Sequence, residues 1–247
     1  MQVLITGAEG FIGKKLSQKL KESGFEVIGV DISGKSSINC NLNNPDQVQD
    51  LFSQYSPEII IHLAAISSTS HSYKSEIQTM NTNVMGTVIL LVTAQNLNPN
   101  LEYFAFASSA EVYGGLIPRK FSEEDIPQPL SPYAASKTAA ESFILMKGRK
   151  DGIKTCCVRF CNTFGRMKDT SYIVEYLFDC CLKNISPVLR TPQSIREFMY
   201  IPDHLRVYEL VLKKQPTGVL NASSGASSSI LELASKIKEL TGSKSKI

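Results

Sequence analysis

The chain has 247 residues, and its 26 Lys and Arg against 23 Asp and Glu leave a formal charge of +3. A composition of 43% hydrophobic and 20% charged residues is globular rather than disordered. The length suits one large α/β domain, or one domain plus a small lobe. So small a charge gives no footprint for nucleic acid or for a membrane surface. The longest apolar stretch, around Val84 to Ala94, is interrupted by Gly86 and Thr87 and falls short of the roughly 20 residues a span needs.

The chain opens on Gln2-Val3-Leu4-Ile5, which reads as a strand and not as the basic start of an export signal, so a cytoplasmic protein is expected. The six cysteines, at 40, 156, 157, 161, 180 and 181, form no C-x-x-C pair. They are expected to be reduced, mostly buried thiols, with no metal site.

Strand and helix patterns then alternate. Gln2 to Thr6 predicts a strand, Phe11 to Glu22 a helix with Ile12, Leu16 and Leu20 on one face, and Phe25 to Val30 a strand ending at Asp31. Asp46 to Tyr55 predicts a short helix, and Glu58 to Leu63 a strand buried on both faces. One long helix is expected over Ser75 to Asn96. A strand follows at Glu102 to Ala107, a helix at Pro132 to Lys147 and a strand at Thr155 to Phe160. This order implies a Rossmann-type doubly wound parallel sheet with right-handed crossovers. Beyond about Asn162 the rhythm changes. Helices are expected at Tyr172 to Lys183, His204 to Lys213 and Ile230 to Leu240, with short strands at Pro187 to Leu189, Glu197 to Ile201 and Gly218 to Asn221. Residues 1–165 are therefore read as the nucleotide-binding domain, with some later segments returning to it, and 166–247 as a small C-terminal substrate-binding lobe.

Gly7-x-x-Gly10-x-x-Gly13 joins the first strand to the first helix. Gly7 permits the sharp turn, Gly10 lets backbone approach a pyrophosphate, and Gly13 lets the helix pack close to the sheet. The helix N-terminus, at Phe11 and Ile12, then offers free N–H groups and a positive dipole end. Asp31 lies 18 residues after Gly13, where its carboxylate can accept hydrogen bonds from the adenosine ribose. A carboxylate there repels a 2′-phosphate, so NAD is favoured over NADP. Lys35 stands nearby and softens that preference.

Tyr133-x-x-x-Lys137 sets a phenol and an ammonium one helical turn apart. Ser131 is the expected N-cap, and Pro132 opens the first turn. A phenol is a poor base at its ordinary pKa of about 10. A neighbouring cation favours the phenolate, which can take a hydroxyl proton while hydride leaves the same carbon. Lys137 is also placed to bond a nicotinamide ribose. The fourth long strand ends in Ser108-Ser109-Ala110-Glu111-Val112-Tyr113-Gly114, and ligands of open α/β sheets bind beyond such ends. Ser109 can donate to or accept from a reacting oxygen. Glu111 is either a base or a solvated turn residue. His62 reads as a structural histidine at a strand end, and His204 as part of a helix start. Neither accompanies a nucleophile-elbow motif, which argues against a hydrolase.

Together these segments resemble the extended short-chain dehydrogenase/reductase superfamily, in particular its nucleotide-sugar epimerases and dehydratases. The signposts run in order through nearly the whole chain: Thr6 to Gly13, Asp31, Asn41-Leu42, His62-Leu63-Ala64-Ala65, Asn83-Val84-x-Gly86-Thr87, Ser108 to Gly114, Ser131 to Lys137, Arg159 to Gly165 and Arg196 to Asp203. The resemblance implies that Asn41 and Leu42 border the adenine, and that Leu63, Ala64, Ala65 and Asn83 lie along the cofactor. It implies Tyr133 as the catalytic phenol, Lys137 as its partner and Ser109 as the hydroxyl aligning the sugar. It further implies that Asn162 contacts the sugar or its diphosphate, that Arg196 pairs with the diphosphate, and that Arg190 is a helper.

The family's reactions share hydride transfer at the sugar C4. A 4,6-dehydratase also needs a carboxylate base, and Glu111 stands at the matching position. Such enzymes typically carry Thr-Asp-Glu or Thr-Ser-Glu where this chain has Ser109-Ala110-Glu111. Ala110 cannot supply a proton, which a 4-epimerase tolerates, but Glu111 tips the expectation towards a 4,6-dehydratase. Asn162 to Gly165 is similar to UDP-glucuronate decarboxylases, and the segment after Asp31 to 4-keto-sugar reductases. The resemblance implies a nucleoside-diphosphate sugar as ligand, a homodimer through the helices at Ser75 to Asn96 and Pro132 to Lys147, and a substrate lobe that is reduced. A non-catalytic NAD-binding regulator is a distant alternative.

Overall fold

The structure, a computed structural model, describes residues 1–115, 119–167 and 169–247. Its contacts divide the chain into two units, Met1–Phe160 with Leu205–Asn221, and Cys161–His204 with Ala222–Ile247.

The first unit is built on a sheet of strands, the central ones buried on both faces. They are β1 (Gln2–Thr6), β2 (Glu26–Asp31), β3 (Ile38–Asn39), β4 (Ile59–His62), β5 (Tyr103–Ser109), β6 (Lys154–Phe160) and β9 (Gly218–Ala222). They hydrogen-bond in the order β3-β2-β1-β4-β5-β6-β9, and the pairs from β3 to β6 are parallel. This is the doubly wound order, and it reverses direction between β1 and β4, the place where such sheets bind ligands. Ile59, Ile60 and Ile61 are all 0% exposed, each adding roughly 1.5–3 kcal/mol of burial free energy.

Helices cover the sheet. α1 (Phe11–Glu22) buries Gly13, Leu16 and Leu20. α2 (Pro45–Gln54) starts at Asn44, whose side chain accepts from the N–H groups of Asp46 and Gln47. The single helix expected over 75–96 is instead α4 (Glu76–Met80), a π-helical turn at Asn81–Met85 and α5 (Gly86–Leu97). The Asn83 side chain accepts from the Ile66 N–H at 2.8 Å and donates to the Ile66 carbonyl at 3.1 Å, while the Thr87 hydroxyl takes the Asn83 carbonyl at 2.7 Å. Side chains that engage the backbone in this way compete with regular helical bonding. The short α3 (Thr69–Ser72) precedes this run, and α6 (Pro132–Asp151) crosses from β5 to β6.

In the second unit, β7 (Asn162–Phe164) pairs in parallel and β10 (Ser227–Ser229) antiparallel with β8 (Ile195–Tyr200). α7 (Ile173–Leu182) and α9 (Ile230–Thr241) join around Val174, Leu177, Cys181, Ala234 and Ile237. The strand expected at Pro187 to Leu189 does not form. Pro187 has no N–H for a ladder, and the Val188 N–H donates to the Tyr176 hydroxyl at 2.9 Å. α8 (Ile201–Lys214) starts three residues before the expected His204.

All six cysteines are buried and unpaired. Burial pushes the Cys40, Cys156, Cys157 and Cys161 thiols up in pKa, which makes them inert. Among the described residues no His, Cys, Asp and Glu group is placed to hold a metal, and no helix is long and apolar enough to cross a membrane.

Candidate active site

The turn after β1 leaves no room for side chains. Gly7 has φ of +70°, and a Cβ there would lie 2.8 Å from the Ala64 backbone nitrogen. A Cβ on Gly13 would lie 2.1 Å from the Gly7 carbonyl oxygen. Gly10 is the N-cap of α1 and brings no capping side chain, so the start of this helix presents backbone rather than a side chain to an approaching anion. Ala64 and Ala65 follow β4 beside this turn. The Ala64 N–H and the Leu63 N–H both donate to Thr6 Oγ1 at 3.2 Å.

Behind them His62 is fully buried, with Nδ1 2.6 Å from Thr6 Oγ1 and Nε2 2.8 Å from Thr87 Oγ1. Since Thr87 donates to Asn83, its oxygen must accept from His62. The imidazole is therefore neutral, with its proton on Nε2. Burial, with the Lys137 charge adding to it, pushes the His62 pKa down to about 3. This histidine pins two strands and a helix and has no proton to exchange.

Asp31 ends β2. Its Oδ2 accepts from the Glu9 N–H and its Oδ1 from the Ser33 N–H, both at 3.0 Å. Glu9 is a residue the motif reading passed over. Its Oε1 accepts from the Ser36 N–H at 2.8 Å and its Oε2 lies 3.2 Å from Lys14 Nζ. The Ser36 bond, more than Lys14, holds its carboxyl below the ordinary range. The position of Glu9 inside the glycine turn was the available signal. Asn41, further on, donates its N–H to Gln47 Oε1 at 2.7 Å, and Leu42 packs partly buried on the sheet core. The turn therefore offers backbone N–H donors suited to a diphosphate and carboxylate acceptors suited to ribose hydroxyls, and these residues fit a dinucleotide.

The second cluster lies at the C-terminal end of β5. Ser131 caps α6 by accepting from the Ala134 N–H at 3.1 Å, and Pro132 fills the first turn. Tyr133 is 9% and Lys137 2% exposed. Lys137 Nζ donates to the Ala107 carbonyl at 2.8 Å and sits 4.5 Å from the Phe106 ring centroid and 5.9 Å from that of Tyr133. Burial pushes its pKa down to about 7, against the opposing pull of Glu141. Asn83 Nδ2 donates to Ser136 Oγ at 2.9 Å, tying the π-helical turn to α6. Ser109 ends β5 and caps a 3₁₀ turn over Ala110–Tyr113. Its Oγ accepts from the Glu111 N–H at 3.2 Å, which leaves the hydroxyl proton for another acceptor. Glu111 is half-buried.

In the second unit, Asn162 stands opposite Phe198 across β7 and β8, so Asn162 and Arg196 share one face of the small sheet. Asn162 Nδ2 donates to the Glu197 carbonyl at 3.3 Å, and Arg196 is exposed with Nη1 on the Ile195 carbonyl at 2.9 Å. Arg190 is exposed in the segment before β8.

The sequence profile of the NAD dependent epimerase/dehydratase family matches residues 3–223. The low-salt glycan biosynthesis protein Agl12 of Haloferax volcanii is 29% identical over 98% of this chain and 83% of its own. A dTDP-glucose 4,6-dehydratase of Haemophilus influenzae is 26% identical over 97% of this chain and 79% of its own. The fold superposes on a UDP-glucose 4-epimerase from Thermotoga maritima, solved with UDP-glucose, with a TM-score of 0.92 and 26% identity, over 100% of this chain and 84% of that one.

Proposed function

Since the chain belongs to the NAD dependent epimerase/dehydratase family, we propose that it acts on a nucleoside-diphosphate hexose as a 4,6-dehydratase. The observation that carries the hydride chemistry is Lys137, a lysine 2% exposed, held on the Ala107 carbonyl one helical turn from Tyr133, and Glu111 in the turn that Ser109 caps favours the dehydratase.

Phe11, Ile12 and Gly13 hold the diphosphate of NAD, Asp31 its adenosine ribose, Asn41 and Leu42 its adenine. Leu63, Ala64, Ala65 and Asn83 line its path. When bound, NAD supplies a two-electron acceptor and donor for the sugar. Tyr133 takes the C4 hydroxyl proton, and the Lys137 charge stabilises its phenolate. Lys137 also bonds the nicotinamide ribose. Ser109 donates to the C4 oxygen and fixes the sugar. Glu111 removes the C5 proton and, once protonated, passes it to the C6 oxygen, which leaves as water. Asn162 and Arg196, with Arg190, hold the sugar diphosphate, for which a guanidinium fork is suited.

Ala110 favours a second reading. It cannot protonate the leaving hydroxyl, and a 4-epimerase needs only Ser109, Tyr133 and Lys137. Purified protein with NAD and a panel of UDP-, GDP- and dTDP-hexoses is expected to form a 4-keto-6-deoxy sugar. A C4 epimer without loss of water would replace the dehydratase by an epimerase. A 4-keto sugar reduced, or a uronic acid decarboxylated, would move it elsewhere in the family, and no turnover of any of these would sink the reading.

The protein is further proposed to be a cytoplasmic homodimer through α4 to α5 and α6. Ile77 at 80%, Met85 at 48% and Met146 at 37% exposure lie on these helices. Light scattering at micromolar concentration is expected to give twice the chain mass, and a monomer would remove the proposal.

A further inference from the structure

We propose that Tyr113 is a positioning residue, which together with Arg159 locks the serine turn to the helix bearing Tyr133 and Lys137; the idea rests on the reaction proposed above. Arg159 on β6 is 4% exposed. Its Nε donates to Glu141 Oε1 at 3.0 Å and its Nη2 to Glu141 Oε2 at 2.7 Å, a two-bond fork onto α6. Glu141 stands one turn beyond Lys137 and two beyond Tyr133 on that helix. The remaining arm, Nη1, donates to the Tyr113 hydroxyl at 2.8 Å. Tyr113 closes the 3₁₀ turn that Ser109 caps and that contains Glu111. One guanidinium therefore spans both halves of the proposed catalytic set.

The Tyr113 hydroxyl passes the restraint on. Its proton faces Asn221 Oδ1 at 2.7 Å and the Ser122 carbonyl at 2.9 Å. Asn221 in turn donates its N–H to Glu123 Oε1 at 2.8 Å and its Nδ2 to the Phe121 carbonyl at 3.3 Å. The segment running from the serine turn to the Ser131 cap is thus tied at three successive residues. A buried ion pair is a weak source of stability compared with apolar packing, but it specifies geometry well. A displacement of about 1 Å between the two halves is enough to cost on the order of 100-fold in rate.

Tyr113→Phe isolates the link. It keeps the ring, which stacks on Phe121 at 4.8 Å and 6°, and it keeps the Arg159–Glu141 pair. With NAD and the accepted nucleotide sugar, kcat is expected to fall roughly 10- to 100-fold, with KM and NAD affinity held within about threefold. Amide hydrogen exchange of the NAD-loaded protein is expected to quicken over residues 109–113 and 119–131 and nowhere else. Arg159→Lys, which keeps the charge and loses the fork, is expected to lower kcat in the same way. Unchanged kcat per folded molecule with only a lower melting temperature would show a purely structural role and overturn the proposal. If the wild type turns over no nucleotide sugar, the proposed function fails. The exchange measurement then still decides, and unaltered protection of the turn in Tyr113→Phe would overturn the link itself.

Discussion

At the scale of single residues, the proposed chemistry depends on keeping a phenol and an ammonium close in a nearly dry place. Lys137 has its amine on a backbone carbonyl and its flank against Phe106, so its charge is screened little and acts strongly on Tyr133. Replacing Tyr133 by Phe removes the proposed proton acceptor and keeps the ring, and the backbone N–H still bonds Ser72 Oγ at 3.2 Å. Turnover of the accepted nucleotide sugar is expected to drop by about 10²–10⁴-fold, the range typical of a lost general base. NAD affinity, followed by fluorescence titration, should stay within about twofold. Retained turnover in this variant would remove Tyr133 from the mechanism. The histidines make the opposite case. His62, which its place at the end of an apolar strand already marks as a strut, has two threonine partners that leave it one tautomer and no free nitrogen.

At the scale of elements, helix ends show how far local chemistry specifies the fold. α9 begins with a reciprocal capping box. Ser229 Oγ accepts from the Glu232 N–H at 3.1 Å, and Glu232 Oε2 accepts from the Ser229 N–H at 2.8 Å. Ser229→Ala is expected to cost about 1 kcal/mol and to lower the melting temperature by roughly 2–4 °C, as calorimetry would show. No change would mean that the packing of α9 on α7 alone fixes the helix. The Ser131 cap, the glycine turn and the apolar strands were legible in the sequence, and so were the doubly wound parallel sheet and the place of the Tyr133–Lys137 pair on the helix before β6. What escaped were features set by distant partners. The π-helical turn depends on Asn83 reaching Ile66 across 17 residues. The missing strand at Pro187 depends on Tyr176, and the short β3, β7 and β10 are defined by their neighbours rather than by their own residues. Glu9 and Arg159 were visible as letters within motifs, but their partners, Ser36 and Glu141, were not adjacent in sequence.

At the scale of the whole molecule, buried titratable groups determine how stability varies with pH. Burial, with Arg166 assisting, pushes the His204 pKa down to about 3, as burial with Lys137 does for His62. An unfolded histidine titrates near 6.5. Between those values the unfolded chain binds up to two more protons than the native one, so stability must fall as pH drops from about 6.5 towards 3, by at most about 2.7 kcal/mol per pH unit. Lys137 works in the same direction at higher pH. Its native pKa of about 7 lies below the unfolded value of about 10.4, so between the two the unfolded chain again holds the extra proton and stability rises with pH. The depressed carboxylates of Asp125 and Glu9 also destabilise on acidification, but only below their unfolded values near 4. The window from pH 6.5 to 4.5 therefore belongs to the histidines. Melting temperature is expected to climb from pH 4.5 to 6.5 and to keep rising gently to about pH 8, above which the buried thiols, whose native pKa lies above the unfolded value of about 8.5, turn the slope downward. The double variant His62→Asn, His204→Asn, less stable at neutral pH, is expected to show a flatter rise between 4.5 and 6.5. An equally steep rise in the double variant would assign the acid sensitivity to other groups and remove the two buried imidazoles from the account.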